Sequence, residues 1–125
     1  MIRNLLLVAL GGGLGSAVRY LIARMWPLAL TGNFPLPTLL ANVVGCLLIG
    51  FLTTWIGKAL GGSESLHLLL AVGFCGGLTT FSTFINESAT LLHLGNLLLC
   101  ALYLGLSVAL GFVALFAGIE CAKII

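Results

Sequence analysis

Gly73-Phe74-Cys75-Gly76-Gly77-Leu78-Thr79-Thr80-Phe81-Ser82-Thr83-Phe84-Ile85-Asn86 decides how the chain is read. The stretch lies in a segment apolar enough for a membrane. It nevertheless packs three glycines into five residues and follows them with four hydroxyls and an amide. Each glycine weakens a helix by about 1 kcal/mol relative to alanine. A break exposed to lipid would strand backbone polar groups, so breaks persist only inside protein or beside a wet cavity. The stretch therefore predicts a helix broken near Gly76 to Thr79, at a site that handles an ion or a polar solute. A plainer reading has the glycines serving close helix packing and the hydroxyls bonding back to carbonyls one turn earlier.

The rest of the chain agrees with a membrane setting. Of its 125 residues 61% are hydrophobic and 6% charged, against about 25% charged in soluble domains. Mean hydropathy is +1.26. These values exclude a water-soluble fold, and a net charge of +2 is too small to imply nucleic-acid binding. Four apolar segments, 4–23, 38–57, 66–92 and 97–119, are each long enough to cross a bilayer. Residues 1–125 thus form one four-helix domain without an internal repeat. Pro27, Gly32, Asn33, Pro35 and Pro37 mark a loop over 25–37, residues 58–65 a shorter one, and 93–96 a tight turn. No cleavable leader is expected, because the first segment lacks a small-residue cleavage site. Gly11 to Ser16 resembles a phosphate loop, but serine at position 16 spoils the G-x-G-x-x-G pattern. Gly11 and Gly15 instead form G-x-x-x-G, a close-packing face. Cys46, Cys75, Cys100 and Cys121 sit in apolar segments without a C-x-x-C pair and read as small packing residues.

Charge placement bears on assembly. With four spans both termini share a side, with Arg3, Lys58 and Lys123. Arg24 lies on the other side, joined by Arg19 if it reaches that interface. Three against one or two is a weak bias under the positive-inside rule. Four short helices also enclose little volume. Together these points predict insertion in both orientations and an antiparallel homodimer. The alternative, that Lys58 and the termini fix one orientation, stays open on charge counts alone.

No catalytic constellation is present, so an enzyme is not expected. Glu64, Glu87 and Glu120 fall near span ends, and His67 and His93 lack ligand-spaced partners. Arg19 is the charge well inside a span, where insertion costs about 3 kcal/mol. It either snorkels to the interface or serves an anion pathway. Asn42 offers an amide donor on the second span. Thr79, Ser82, Thr83 and Asn86 follow helical spacing, as do Phe81 and Phe84, and Tyr103 and Ser107 lie one turn apart on the fourth span. Aromatic rings have positive edges that can face an anion without hydrating it. Hydroxyls, an amide and ring edges suit a small, strongly hydrated anion. For the phenylalanines, ordinary packing is the competing reading.

Three stretches carry a specific resemblance: Gly11-Gly12-Gly13-Leu14-Gly15-Ser16-Ala17-Val18-Arg19-Tyr20, Pro37-Thr38-Leu39-Leu40-Ala41-Asn42-Val43-Val44-Gly45, and residues 73–84 quoted above. They resemble the signature stretches of the CrcB/Fluc fluoride channel family, in the family's order and over all four spans. The fourth span is only weakly patterned. The resemblance implies an all-α membrane protein forming antiparallel, dual-topology homodimers in the bacterial inner membrane. Its two pores would export fluoride passively and relieve fluoride toxicity. It further implies that Asn42 donates to fluoride and that Phe81 and Phe84 line the path with their ring edges. Gly76 and Thr79 would offer backbone carbonyls to a structural sodium ion at the dimer interface. Ser82, Thr83, Tyr103 and Ser107 are implied as a polar track, and Arg19 is placed near a pore mouth. Glu87 receives no role.

A rival of similar size is a proton-coupled small multidrug exporter. Such a transporter needs a carboxylate within the membrane, usually in its first span, and residues 4–23 contain no Asp or Glu. A non-transporting membrane scaffold would explain the glycines but not the polar face from Thr79 to Asn86.

Overall fold

The structure is a computed structural model and describes residues 1–26 and 33–125. Among the described residues, four helical spans are long and apolar enough to cross a membrane. Helix α1 covers Ile2–Met25 and α2 covers Leu36–Ala59. The third span contains α3, a continuous helical run over residues 64–78, and α4, Ser82–His93. Helix α5 is Leu97–Ile124. Each span extends a few residues beyond its hydropathy limits, because polar ends such as Lys58 and Glu64 continue the helix. Leu36 and Pro37 open α2, where a fixed proline φ suits the first turn. The Pro27 and Gly32 part of the expected 25–37 loop lies outside the described residues.

The bundle is held by two glycine seams. Along the first, α1 runs against α3 with backbone nearly touching backbone. A Cβ on Gly15 would meet the Phe74 carbonyl oxygen at 2.1 Å, and one on Gly77 would meet that of Gly12 at 2.3 Å. Along the second, Gly118 of α5 lies against Leu47 and Phe51 of α2, and Gly50 against Leu115. Small residues permit this approach in a medium where apolar burial gives no drive for helix association. In the middle of α3, His67–Cys75 widens to π-type winding, a local irregularity often found beside functional sites.

Outside the seams, large apolar side chains such as Leu5, Leu14, Leu21, Leu98 and Phe112 are exposed, as expected where the surroundings are lipid. Arg3 donates to Ser65, and Lys58 Nζ donates to the Lys123 carbonyl at 2.6 Å. These contacts gather Arg3, Lys58 and Lys123 at one end of the bundle. The turn between α4 and α5 closes as a Schellman motif: Gly95, at φ +78°, donates to Leu92, and Asn96 N–H donates to Leu91.

The third span is broken, as expected, and the break begins at the Thr79 end of the expected stretch. Gly76 and Gly77 remain helical, and the chain leaves the helix at Thr79, with ψ 156°. The interruption runs over residues 79–81. The glycines are used for packing instead: Gly77 presses on Gly12, and Gly73 on Gly11.

Candidate functional site

The break forces a redistribution of backbone hydrogen bonds, and the site is built from that redistribution. In an unbroken helix the Thr80 N–H would close onto the Gly76 carbonyl. Here it donates to Asn42 Oδ1 at 2.8 Å, while Asn42 Nδ2 donates to the Thr80 carbonyl at 3.1 Å. The Asn42 amide therefore clamps Thr80 at both ends. The Thr83 N–H, which would close onto Thr79, donates to Thr80 Oγ1 at 3.3 Å, a cap-like bond that starts α4. Thr79 Oγ1 bonds back to the Cys75 carbonyl at 2.9 Å. The Gly77 carbonyl accepts from Arg19 Nε at 3.1 Å and from Ser16 Oγ at 3.5 Å. The carbonyls of Gly76 and Thr79 thereby lose their ordinary helical donors. Each unsatisfied group costs several kcal/mol away from water.

Two clefts flank the joint. One is an open groove of about 560 Å³ whose lining includes Asn42, Gly76, Thr79, Phe81, Phe84 and Ser107. The face of α2 carrying Asn42, Gly45 and Ile49 forms part of its wall, as the helical spacing predicts. Phe81 is 74% exposed and Phe84 9%, with ring centroids 6.3 Å apart. Phe84 meets Tyr103 edge-on at 5.0 Å, and Tyr103 meets Phe34 edge-on at 5.6 Å. Among the described residues the hydroxyl oxygen of Ser107 is buried without a hydrogen-bond partner, an uncommon state for such a group. The other cleft, about 420 Å³, is lined by residues including Ser16, Arg19, Trp26, Thr38, Thr83 and Glu87.

The structure thus divides the residues expected to act together. Asn42, Gly76, Thr79, Phe81, Phe84 and Ser107 share the first groove. Arg19 and Thr83 line the second cleft. Tyr103 is fully buried behind Phe84, and Ser82 is exposed on α4. Thr83 and Ser82 are therefore not beside Ser107 in one continuous wall within a single chain. Arg19 faces its cleft, but its Nε is turned onto the end of α3. Glu87 emerges as a residue that sequence reasoning left without a role: its Oε1 accepts from the Tyr103 hydroxyl at 2.9 Å. Spacing signals only its place in the second cleft, since Glu87 lies one turn beyond Thr83 on the same helix face.

Comparison with known proteins points one way. A family model described as CrcB-like protein, Camphor Resistance (CrcB), matches residues 6–119. The fluoride-specific ion channel FluC of Flavobacterium psychrophilum is 41% identical, covering 97% of this chain and 98% of that protein. The proteins of the same name from Chlorobium chlorochromatii and Rhizobium etli are 44% and 43% identical. These matches cover 96% and 94% of this chain, and 92% and 94% of the relatives.

Proposed function

The chain belongs to the CrcB-like protein family, and from that premise we propose that it is a fluoride-selective channel. It passes fluoride passively across the bacterial inner membrane and relieves fluoride toxicity. The observation that carries this reading is nearly full-length similarity to proteins named fluoride-specific ion channels. It is a multi-pass membrane protein and not an enzyme.

The groove's chemistry supports the reading. Fluoride gives up strong hydration only for several partners at once, and it must still be able to leave. The positive ring edges of Phe81 and Phe84 and the Asn42 amide supply weak donors without a fixed charge. Asn42 spends one of its two N–H donors on Thr80, which leaves the other for the ion. The Ser107 hydroxyl has no partner among the described residues and extends the line of donors toward α5. Thr83 borders the neighbouring cleft, where Arg19 makes the entrance favourable to an anion. Ser82 and Tyr103 complete the polar track at its margins.

The functional unit is an antiparallel, dual-topology homodimer. Two arguments support this: the near balance of Arg3, Lys58 and Lys123 against Arg19 and Arg24, and a groove that one chain leaves partly open. A second copy would close it. The Gly76 and Thr79 carbonyls, freed of helical donors and bordering the groove, fit a hard cation. They would hold a structural sodium ion at the two-fold axis, which supplies positive charge to otherwise unpaired oxygens.

Purified protein in liposomes tests the function. Fluoride should leave without a proton gradient, and no organic cation should be exported when a gradient is applied. Fluoride movement that needs a proton gradient would defeat the reading. No observation favours the exporter.

A further inference from the structure

Gly77 sits at the last turn of α3, and its carbonyl has lost the donor that a continuing helix would provide. Helix α1 supplies two replacements. Arg19 Nε lies at 3.1 Å and Ser16 Oγ at 3.5 Å. The two residues are three apart, so both project from one face of α1. One turn earlier on that helix, Gly12 presses on the Gly77 backbone. The same stripe of α1 therefore fixes the end of α3 by contact and by hydrogen bonding. The bond comes from the inner nitrogen of the arginine side chain, not from its outer fork. It is a charge-assisted bond in a low-dielectric setting, the stronger class of hydrogen bond.

We propose that Arg19 is a positioning residue, whose Nε, with Ser16 Oγ, anchors the Gly77 carbonyl and so holds the neighbouring Gly76 and Thr79 carbonyls in their orientation. Gly77 lies between those two residues in the chain, and rotating its peptide unit would turn both. Asn42 holds the joint from the α2 side and Arg19 from the α1 side. The joint is thus pinned between two helices, and the charge of Arg19 is not its whole contribution. The inference rests on the channel reading for its effect on flux, but not for its structural content.

Side-chain geometry provides the test. In glutamine, Nε2 occupies the place of arginine Nε, so Arg19→Gln keeps a donor at that position and loses the charge. Arg19→Lys keeps the charge but puts a methylene there. Arg19→Met removes both. Amide hydrogen exchange over residues 79–81 is measured by mass spectrometry in the three variants and the native protein, beside fluoride efflux from liposomes. The expected result is that Arg19→Gln retains protection of the joint, while Arg19→Lys and Arg19→Met exchange about tenfold faster or more. Flux should fall least in Arg19→Gln. The proposal is overturned if Arg19→Lys protects and conducts better than Arg19→Gln, because charge alone would then be what matters. It is equally overturned if no variant alters exchange. Should Arg19→Met fail to fold, the lysine and glutamine variants still decide. Should the native protein pass no fluoride, the channel reading fails, and the exchange data still judge the anchor.

Discussion

The two halves of the third span are made of different material. Residues 64–78 are rich in glycine and apolar side chains, widen to π-type winding, and press backbone to backbone on α1. Ser82–His93 carries hydroxyls, an amide and a carboxylate, and only Phe84, Ser88 and Leu91 of it are buried. The first half is fixed and offers carbonyls at its end. The second half offers side chains. Placing a break between them joins backbone acceptors to side-chain donors within one span, and Asn42 clamps the junction. The difference teaches that glycine in this helix marks close contact, whereas hydroxyls mark the interruption.

Substitutions should separate the halves sharply. The largest effect is expected from Gly77→Ala. Its new Cβ would lie 2.3 Å from the Gly12 carbonyl oxygen, and overpacking of this kind costs about 1–3 kcal/mol or more. Loss of folded protein on size-exclusion chromatography checks it; a normal yield with native thermal stability would show that the seam yields. Next come Phe81→Ile and Phe84→Ile in or beside the second half. Both keep apolar bulk and remove the ring edge, so flux should fall about tenfold or more while the dimer persists. A variant that folds and conducts at the native rate leaves its ring as packing only.

Asn42→Asp attacks the clamp itself. It replaces the donor to Thr80 with an acceptor and brings negative charge to the groove, so fluoride efflux should drop by about tenfold or more. Sodium removal, checked by thermal unfolding in sodium-free buffer with a bulky organic cation as replacement, should lower dimer stability. Unchanged stability and flux with no replacement ion bound would mean that Gly76 and Thr79 hold no cation. The smallest effect is expected from Gly76→Ala. A Cβ there meets nothing within 4 Å of its own chain, and the helical φ of −62° suits alanine. Folding of the four-helix unit should therefore change by no more than about 1 kcal/mol. Thermal unfolding compares it directly with Gly77→Ala, one residue away.

Much of this was legible in the sequence. Long apolar runs with at most one or two charges point to the four spans, since a bilayer demands length and low polarity and little else. The presence of a break was legible too, from three glycines in five residues followed by hydroxyls in an otherwise apolar segment. That the break begins at Thr79 and spares Gly76 and Gly77 was not legible, because helix propensity treats each glycine alone, whereas Gly73 and Gly77 answer to Gly11 and Gly12 across a seam. Local chemistry at Thr80 decided the matter, with its Oγ1 accepting the Thr83 N–H and Asn42 taking both its backbone groups. Arg19 was legible as an expensive charge but not as an anchor, because its partner depends on how α1 and α3 align. The pairing of Glu87 with Tyr103 crosses two helices 16 residues apart, and no spacing rule within one helix reveals it.

The most direct test of the central claim compares fluoride and chloride release from the same loaded liposomes after the purified protein is incorporated. Rapid passive fluoride efflux and far slower chloride efflux are expected. Comparable rates for the two anions would contradict that claim.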